Sequence, residues 1–120
     1  MRDFHKLKVW ERAHKLTLWV YEITNSFPKE EIYSLTSQMR RAAASIPTNI
    51  AEGCGRDSKA ETIQFFIIAS GSASELEYQI LLAHDLHYID DRIYDELGNE
   101  PGEIRRMIAG YVKRLKADTQ

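Results

Sequence analysis

The chain has 120 residues, 43% of them apolar and 28% charged, with a formal net charge of -2. That length predicts one domain over residues 1–120 with a modest core, and the balance of residues excludes disorder through low hydrophobicity. No apolar run nears the roughly 18 residues of a membrane span, the N-terminus MRDFHKLKVWERAHK lacks a signal peptide's apolar stretch, and the lone Cys54 excludes an internal disulfide, so a cytoplasmic protein with no membrane partner is expected.

From residue 5 onward Val9, Ala13, Leu16, Val20, Ile23 and Phe27 recur in steps of three and four, which holds them on one stripe of a helix. Pro28 stops that helix near Ser26. Ile32, Leu35, Met39, Ala42, Ile46 and Ile50 repeat the spacing in a second helix that continues across Pro47, and Gly53 with Gly55 forms a stop able to take positive φ. A third helix is predicted from about Ser58 to about His87, with Phe66, Ala69, Ala73, Leu76, Ile80 and Ala83 as its seam and Ser58 with Glu61 as a capping box. A short periodic piece, Ile89, Ile93 and Leu97, precedes a last seam of Ile104, Ile108, Tyr111 and Leu115. Between them GNEPG, Gly98 to Gly102, kinks or interrupts the helix, with Pro101 tolerated in a first turn. No segment alternates with a period of two, so no strand is predicted. Short turns between four amphipathic helices favour an all-α, antiparallel up-and-down four-helix bundle.

The second helix carries an internal contradiction. Pro47 has no amide hydrogen and crowds the carbonyl of Ala43, at a cost of about 3 kcal/mol unless the helix bends and another donor takes that carbonyl. A helix kinked at Pro47 is therefore expected, with a Ser or Thr hydroxyl or a water as the replacement donor. Gln38, Arg41, Ser45, Thr48 and Glu52 form a polar stripe beside the seam. A phosphate-cradling loop is excluded, because GCGRDSK lacks the required spacing and no strand precedes it.

Charge is segregated along the chain. Residues 1–15 hold Arg2, Lys6, Lys8, Arg12 and Lys15 against Asp3 and Glu11, and residues 104–117 hold Arg105, Arg106, Lys113, Arg114 and Lys116 with no acid. Residues 85–103 hold seven acids against Arg92 alone. In an up-and-down bundle the two basic blocks meet at one pole and the acidic connection lies at the other. The third helix also has more apolar surface than a bundle shields. From Ile63 to Leu86, 14 of 24 positions are apolar, whereas a core-facing stripe takes about three in seven. Phe65, Ile68 and Leu82, off the seam, are expected to form an exposed patch that drives self-association.

The stretch SQMRRAAASIPTNIAEGCGR, together with IIASGSASELEYQILLA, LKVWERA and FPKEEIYSL, closely resembles the four-helix bundle protein family, also called the 23S rRNA intervening-sequence protein family. The resemblance covers nearly the whole chain, and RRA-x-SIP-x-NIAEG is its specific core. It implies a bundle assembled as a ring of identical subunits, a homopentamer, with no established enzymatic activity. A more distant resemblance, to the accessory protein of diversity-generating retroelements, implies action with nucleic acid. The family's signature positions fall on Arg40, Arg41, Pro47, Asn49, Glu52, Gly53, Arg56, Glu75 and Glu77. Their simplest role is pairing between the second and third helices, within or between subunits. The sequence departs from the family at His87, where glycine is usual, and in the GNEPG interruption.

No reaction is spelled out. Glu11-x-x-His14 is half of a di-iron motif without a second half. His84, Asp85 and His87 are read as a helix cap ahead of a metal site. Ser70, Ser72 and Ser74 around Gly71 are read as small residues for close helix approach ahead of nucleophiles. Trp10, Trp19 and Tyr21 are read as subunit contacts ahead of base-stacking platforms. No cofactor, metal or catalytic residue is expected. The functional expectation is a non-catalytic homo-oligomer that docks RNA or DNA through a basic rim of Arg2, Lys6, Lys8, Lys113, Arg114 and Lys116. The alternative is an adaptor for a protein partner, without nucleic acid.

Overall fold

The structure is a computed structural model that describes residues 2–118. Its helices are α1 (Lys8–Thr24), α2 (Leu35–Cys54), α3 (Lys59–Asp85), α4 (Asp91–Leu97) and α5 (Glu100–Ala117). Short 3-10 turns at Phe4–Lys6 and Lys29–Glu31 precede α1 and α2, and no strand occurs among the described residues. The helices form an elongated up-and-down bundle measuring 51 × 24 × 20 Å. The contact between α2 and α3 is the most extensive, and that between α1 and α5 is sparse.

The seams read from spacing are the core. Ala13, Val20, Met39, Ile46, Ile50, Phe66, Ala69, Ala73, Leu76, Ile80, Ala83 and Ile104 are fully buried. Ile23, Ile93 and Tyr111 are half-buried against that core, and Ile32 departs furthest from the pattern. It stands 52% exposed because the chain spends Lys29–Glu31 on a 3-10 turn and α2 starts only at Leu35. At the start of α3 the Ser58 hydroxyl accepts from the Glu61 amide at 3.1 Å, so the capping box forms as expected. The GNEPG segment separates α4 from α5, and Pro101 occupies the first turn of α5.

α2 runs as one helix through Pro47. The carbonyl of Ala43, which Pro47 deprives of its usual amide, accepts instead from Thr17 Oγ1 of α1 at 3.0 Å. The same hydroxyl also reaches the Ala13 carbonyl at 2.9 Å. The proline defect is thus filled by the neighbouring helix, and α1 is fastened to α2 at that point.

The expected glycine stop takes another form. Among the described residues no glycine has positive φ. Gly53 is buried inside α2, where an added Cβ would lie 3.0 Å from Phe66. It permits α2 and α3 to approach, and the Thr62 hydroxyl completes the contact by donating to the Gly53 carbonyl at 2.8 Å. The positive φ occurs instead at His87, at 65°, just past α3. There the Tyr88 amide bonds the Ala83 carbonyl and the His87 amide bonds the His84 carbonyl, the paired bonds of a left-handed helix cap that favours glycine.

Candidate functional site

The basic blocks converge as the topology requires. One groove of about 460 Å3 at the end of the bundle is lined by Lys6, Lys8, Arg106, Met107, Gly110, Tyr111 and Arg114. Arg2 lies at the same end, its amide donating to the Cys54 carbonyl at 2.9 Å. Lys6, Lys8, Lys113, Arg114 and Lys116 are exposed and Arg2 is half-buried. Arg114 lies over the Tyr111 ring at 5.6 Å, which leaves its charge facing water. Arg106 is tied to Glu103, whose carboxyl it holds below the usual range. Arg12, further along, is clamped in two-point fashion by Glu100 at 2.8 and 3.0 Å, the contact that bridges the sparse α1–α5 seam. The opposite end of the bundle carries exposed Asp85, Asp90, Asp91, Asp95 and Glu96.

The signature polar set of α2 and α3 separates in a way spacing did not predict. Within the chain no arginine of α2 meets an acid of α3. Arg40 turns to α1, donating to Thr24 Oγ1 at 2.8 Å and Asn25 Oδ1 at 3.0 Å, with its guanidinium over the Tyr21 ring at 4.9 Å. Arg56 pairs with Glu52 one turn back at 3.0 Å and covers the ring of Phe65 at 4.7 Å. Glu77 pairs with Arg105 of α5 at 2.6 Å. Glu75 accepts only from Gln79, at 3.3 Å, and is otherwise exposed. Asn49 bonds the Ser45 carbonyl and hydroxyl, and Ser45 meets Ser72 at 2.8 Å, so the α2–α3 polar contact is uncharged. Arg41 is exposed and makes no hydrogen bond or ion pair with a described residue.

The outer apolar face of α3 is present with different members. Ile68 is 43% exposed, but Phe65 lies under Arg56 and Leu82 packs against the core, so both are half-buried. The exposed residues are instead Ile67 (54%), Tyr78 (62%), Leu81 (40%) and Leu86 (44%). Ile67, Gly71, Ser74, Tyr78 and Leu81 are all exposed and recur in steps of four and three, so they line one unbroken stripe opposite the seam. Gly71 is not a close-approach residue within the chain, because a Cβ there meets nothing within 4 Å.

The residues weighed for chemistry make the following contacts. His14 stacks on Trp10 at 5.1 Å on the outside of α1. His84 bonds Asp91 at 2.7 Å and stacks on Tyr94 at 4.2 Å, which ties the end of α3 to α4. Cys54 is buried, and burial pushes its thiol up. Among the described residues no group of three or more His, Cys, Asp or Glu is placed to hold a metal ion, and no helix is long and apolar enough to cross a membrane.

Comparison with solved structures finds a protein of unknown function from the S23 ribosomal protein family of Bacteroides thetaiotaomicron VPI-5482. The two are 24% identical with a TM-score of 0.81, over 88% of this chain and 95% of the other, so the likeness is one of fold. No curated protein matches the chain. The model of the 23S rRNA-intervening sequence protein family matches residues 5–110. With the seams, the RRAAASIPTNIAEG segment and the fold all in place, the chain belongs to the 23S rRNA-intervening sequence protein family.

Proposed function

We propose that the chain is a non-catalytic, self-associating helical bundle of the cytoplasm that docks on the backbone of RNA or DNA through its basic pole. The observation that carries the docking is the meeting of Lys6, Lys8 and Arg114 in one groove, with Arg2, Lys113 and Lys116 at the same end and the acidic cluster a bundle length away. Neither Lys6 nor Lys8 forms an ion pair with a described residue, and Lys6 lies only within Coulombic reach of Asp3. One such pole is a weak site. A ring of copies with parallel axes, five in the assembly that the family resemblance implies, repeats it around one rim and sums the charge. The reading includes a bend of α2 at Pro47, which a mid-helix proline favours by crowding the carbonyl behind it.

Backbone docking has a salt signature, because each neutralised phosphate releases counterions. Fluorescence anisotropy with labelled single- and double-stranded RNA and DNA is expected to show binding at about 50 mM salt that falls at least 10-fold by about 200 mM. A Lys6→Glu, Lys8→Glu double variant abolishes it with no change in particle mass. Absence of binding at low salt, or binding indifferent to salt, overturns the docking reading. Capture of a single protein partner in place of nucleic acid would support the adaptor role instead.

A further inference from the structure

The outer stripe of α3 and the groove between α1 and α2 belong together. We infer that the exposed α3 face of one copy seats in the α1–α2 groove of the next, with Glu75 meeting Arg41. The inference rests on the self-association proposed above and specifies which faces carry it.

The groove, of about 600 Å3, is walled by Tyr21 and Ile32, floored by the small Ala44 and Ser45, and holds Arg41. Its apolar walls are exposed at 45% and 52%. The α3 stripe is its complement in kind, with Ile67, Tyr78 and Leu81 as apolar projections beside an acid. Charge agrees as well. Arg41 lacks a partner among the described residues, and Glu75 has only a weak amide contact.

Height along the bundle is the decisive point. The Ser45–Ser72 hydrogen bond fixes the register of the antiparallel α2 and α3. Arg41, four residues before Ser45, is therefore level with residue 76, within about 1.5 Å of Glu75 along the axis. Two complementary faces at equal height on one subunit are what a rotation about an axis parallel to the bundle requires, and a contact between unlike faces closes into a ring under such a rotation. A symmetric α3-to-α3 pairing leaves the groove and Arg41 uncovered.

Gly71 adds an independent observation. A glycine inside a helix costs about 0.5–1 kcal/mol against alanine, and within the subunit nothing approaches it. A neighbour's helix pressed on the stripe gives it a purpose, since by the Ser45–Ser72 register Gly71 lies within about 3 Å in height of Ala44 and Ser45 on the groove floor, and the missing side chain lets the two helices approach there.

Light scattering at micromolar concentration tests the arrangement. The wild type is expected as a multiple of 13.9 kDa. Arg41→Glu and Glu75→Arg each drop the mass toward one chain at the same concentration, and the double exchange recovers the wild-type mass. Gly71→Trp, which has open space in its own subunit, gives a helical monomer with an unchanged circular dichroism spectrum. A monomeric wild type defeats self-association itself. An assembled wild type whose mass is untouched by both charge reversals and by Gly71→Trp leaves self-association standing and defeats this docking. A double exchange that stays monomeric defeats the Arg41–Glu75 contact.

Discussion

Both faces of α3 carry large apolar side chains, in opposite surroundings. On the inner face Phe66, Ala69, Ala73, Leu76, Ile80 and Ala83 are all at 0% exposure, and on the outer face Ile67, Ile68, Tyr78 and Leu81 stand between 40% and 62%. Burial of the first set accounts for the fold of one subunit, by roughly 25 cal/mol for each Å2 of apolar surface withdrawn from water. The second set contributes nothing comparable to a lone subunit. An apolar face that the fold does not need is the surface that the proposed association would use, and on that reading one helix serves two interfaces, one folding and one assembling.

The sharpest way to break that distinction is to truncate one residue on each face. Leu76→Ala opens a cavity in a filled core and is expected to cost about 3 kcal/mol in urea unfolding. Tyr78→Ala is expected to change the stability of the isolated subunit by less than about 0.5 kcal/mol while lowering the particle mass. Equal losses from the two would show that both faces belong to the subunit's own core.

A smaller effect comes from the polar contact that closes the inner side of the bundle. Thr17→Val keeps the shape but leaves the Ala43 carbonyl without a donor, and a loss of about 1–2 kcal/mol is expected. In a Pro47→Ala background, where an amide returns to position 47, the same change should cost less than half as much. A cost independent of residue 47 would mean that the hydroxyl serves the Ala13 carbonyl alone.

The smallest effect adds stability. His87 sits in the left-handed region at φ 65°, which costs a side-chain-bearing residue about 1–2 kcal/mol. His87→Gly is expected to raise the unfolding free energy by about 1 kcal/mol, less the entropy that glycine regains in the unfolded chain, with particle mass unchanged. A drop in stability would show that the imidazole makes a stabilising contact there.

The seams of all four long helices were legible, because steps of three and four report burial directly: Leu16, Met39, Leu76 and Ile108 sit where spacing put them. So was the need for a donor at Ala43, since proline chemistry is local. Which donor it was depends on how α1 lies on α2, and no spacing within either helix encodes that Thr17 faces Ala43. The same gap explains the misplaced polar pairs. Arg40 and Glu77 lie on helices that each have two neighbours, and charge type does not say which neighbour is nearer. Likewise Phe65 counted as exposed by angle, until Arg56 from the end of α2 folded over its ring. Arg41 was legible as a signature position, but that it has no partner among the described residues emerges only once its neighbours' charges are placed.

On the proposed reading, the outer face of α3 is covered by another copy of the chain. Sedimentation velocity on the wild-type protein across a dilution series tests it most directly. A discrete species several times heavier than 13.9 kDa is expected at micromolar concentration, giving way to smaller species on dilution. A single 13.9 kDa species at every concentration would contradict it.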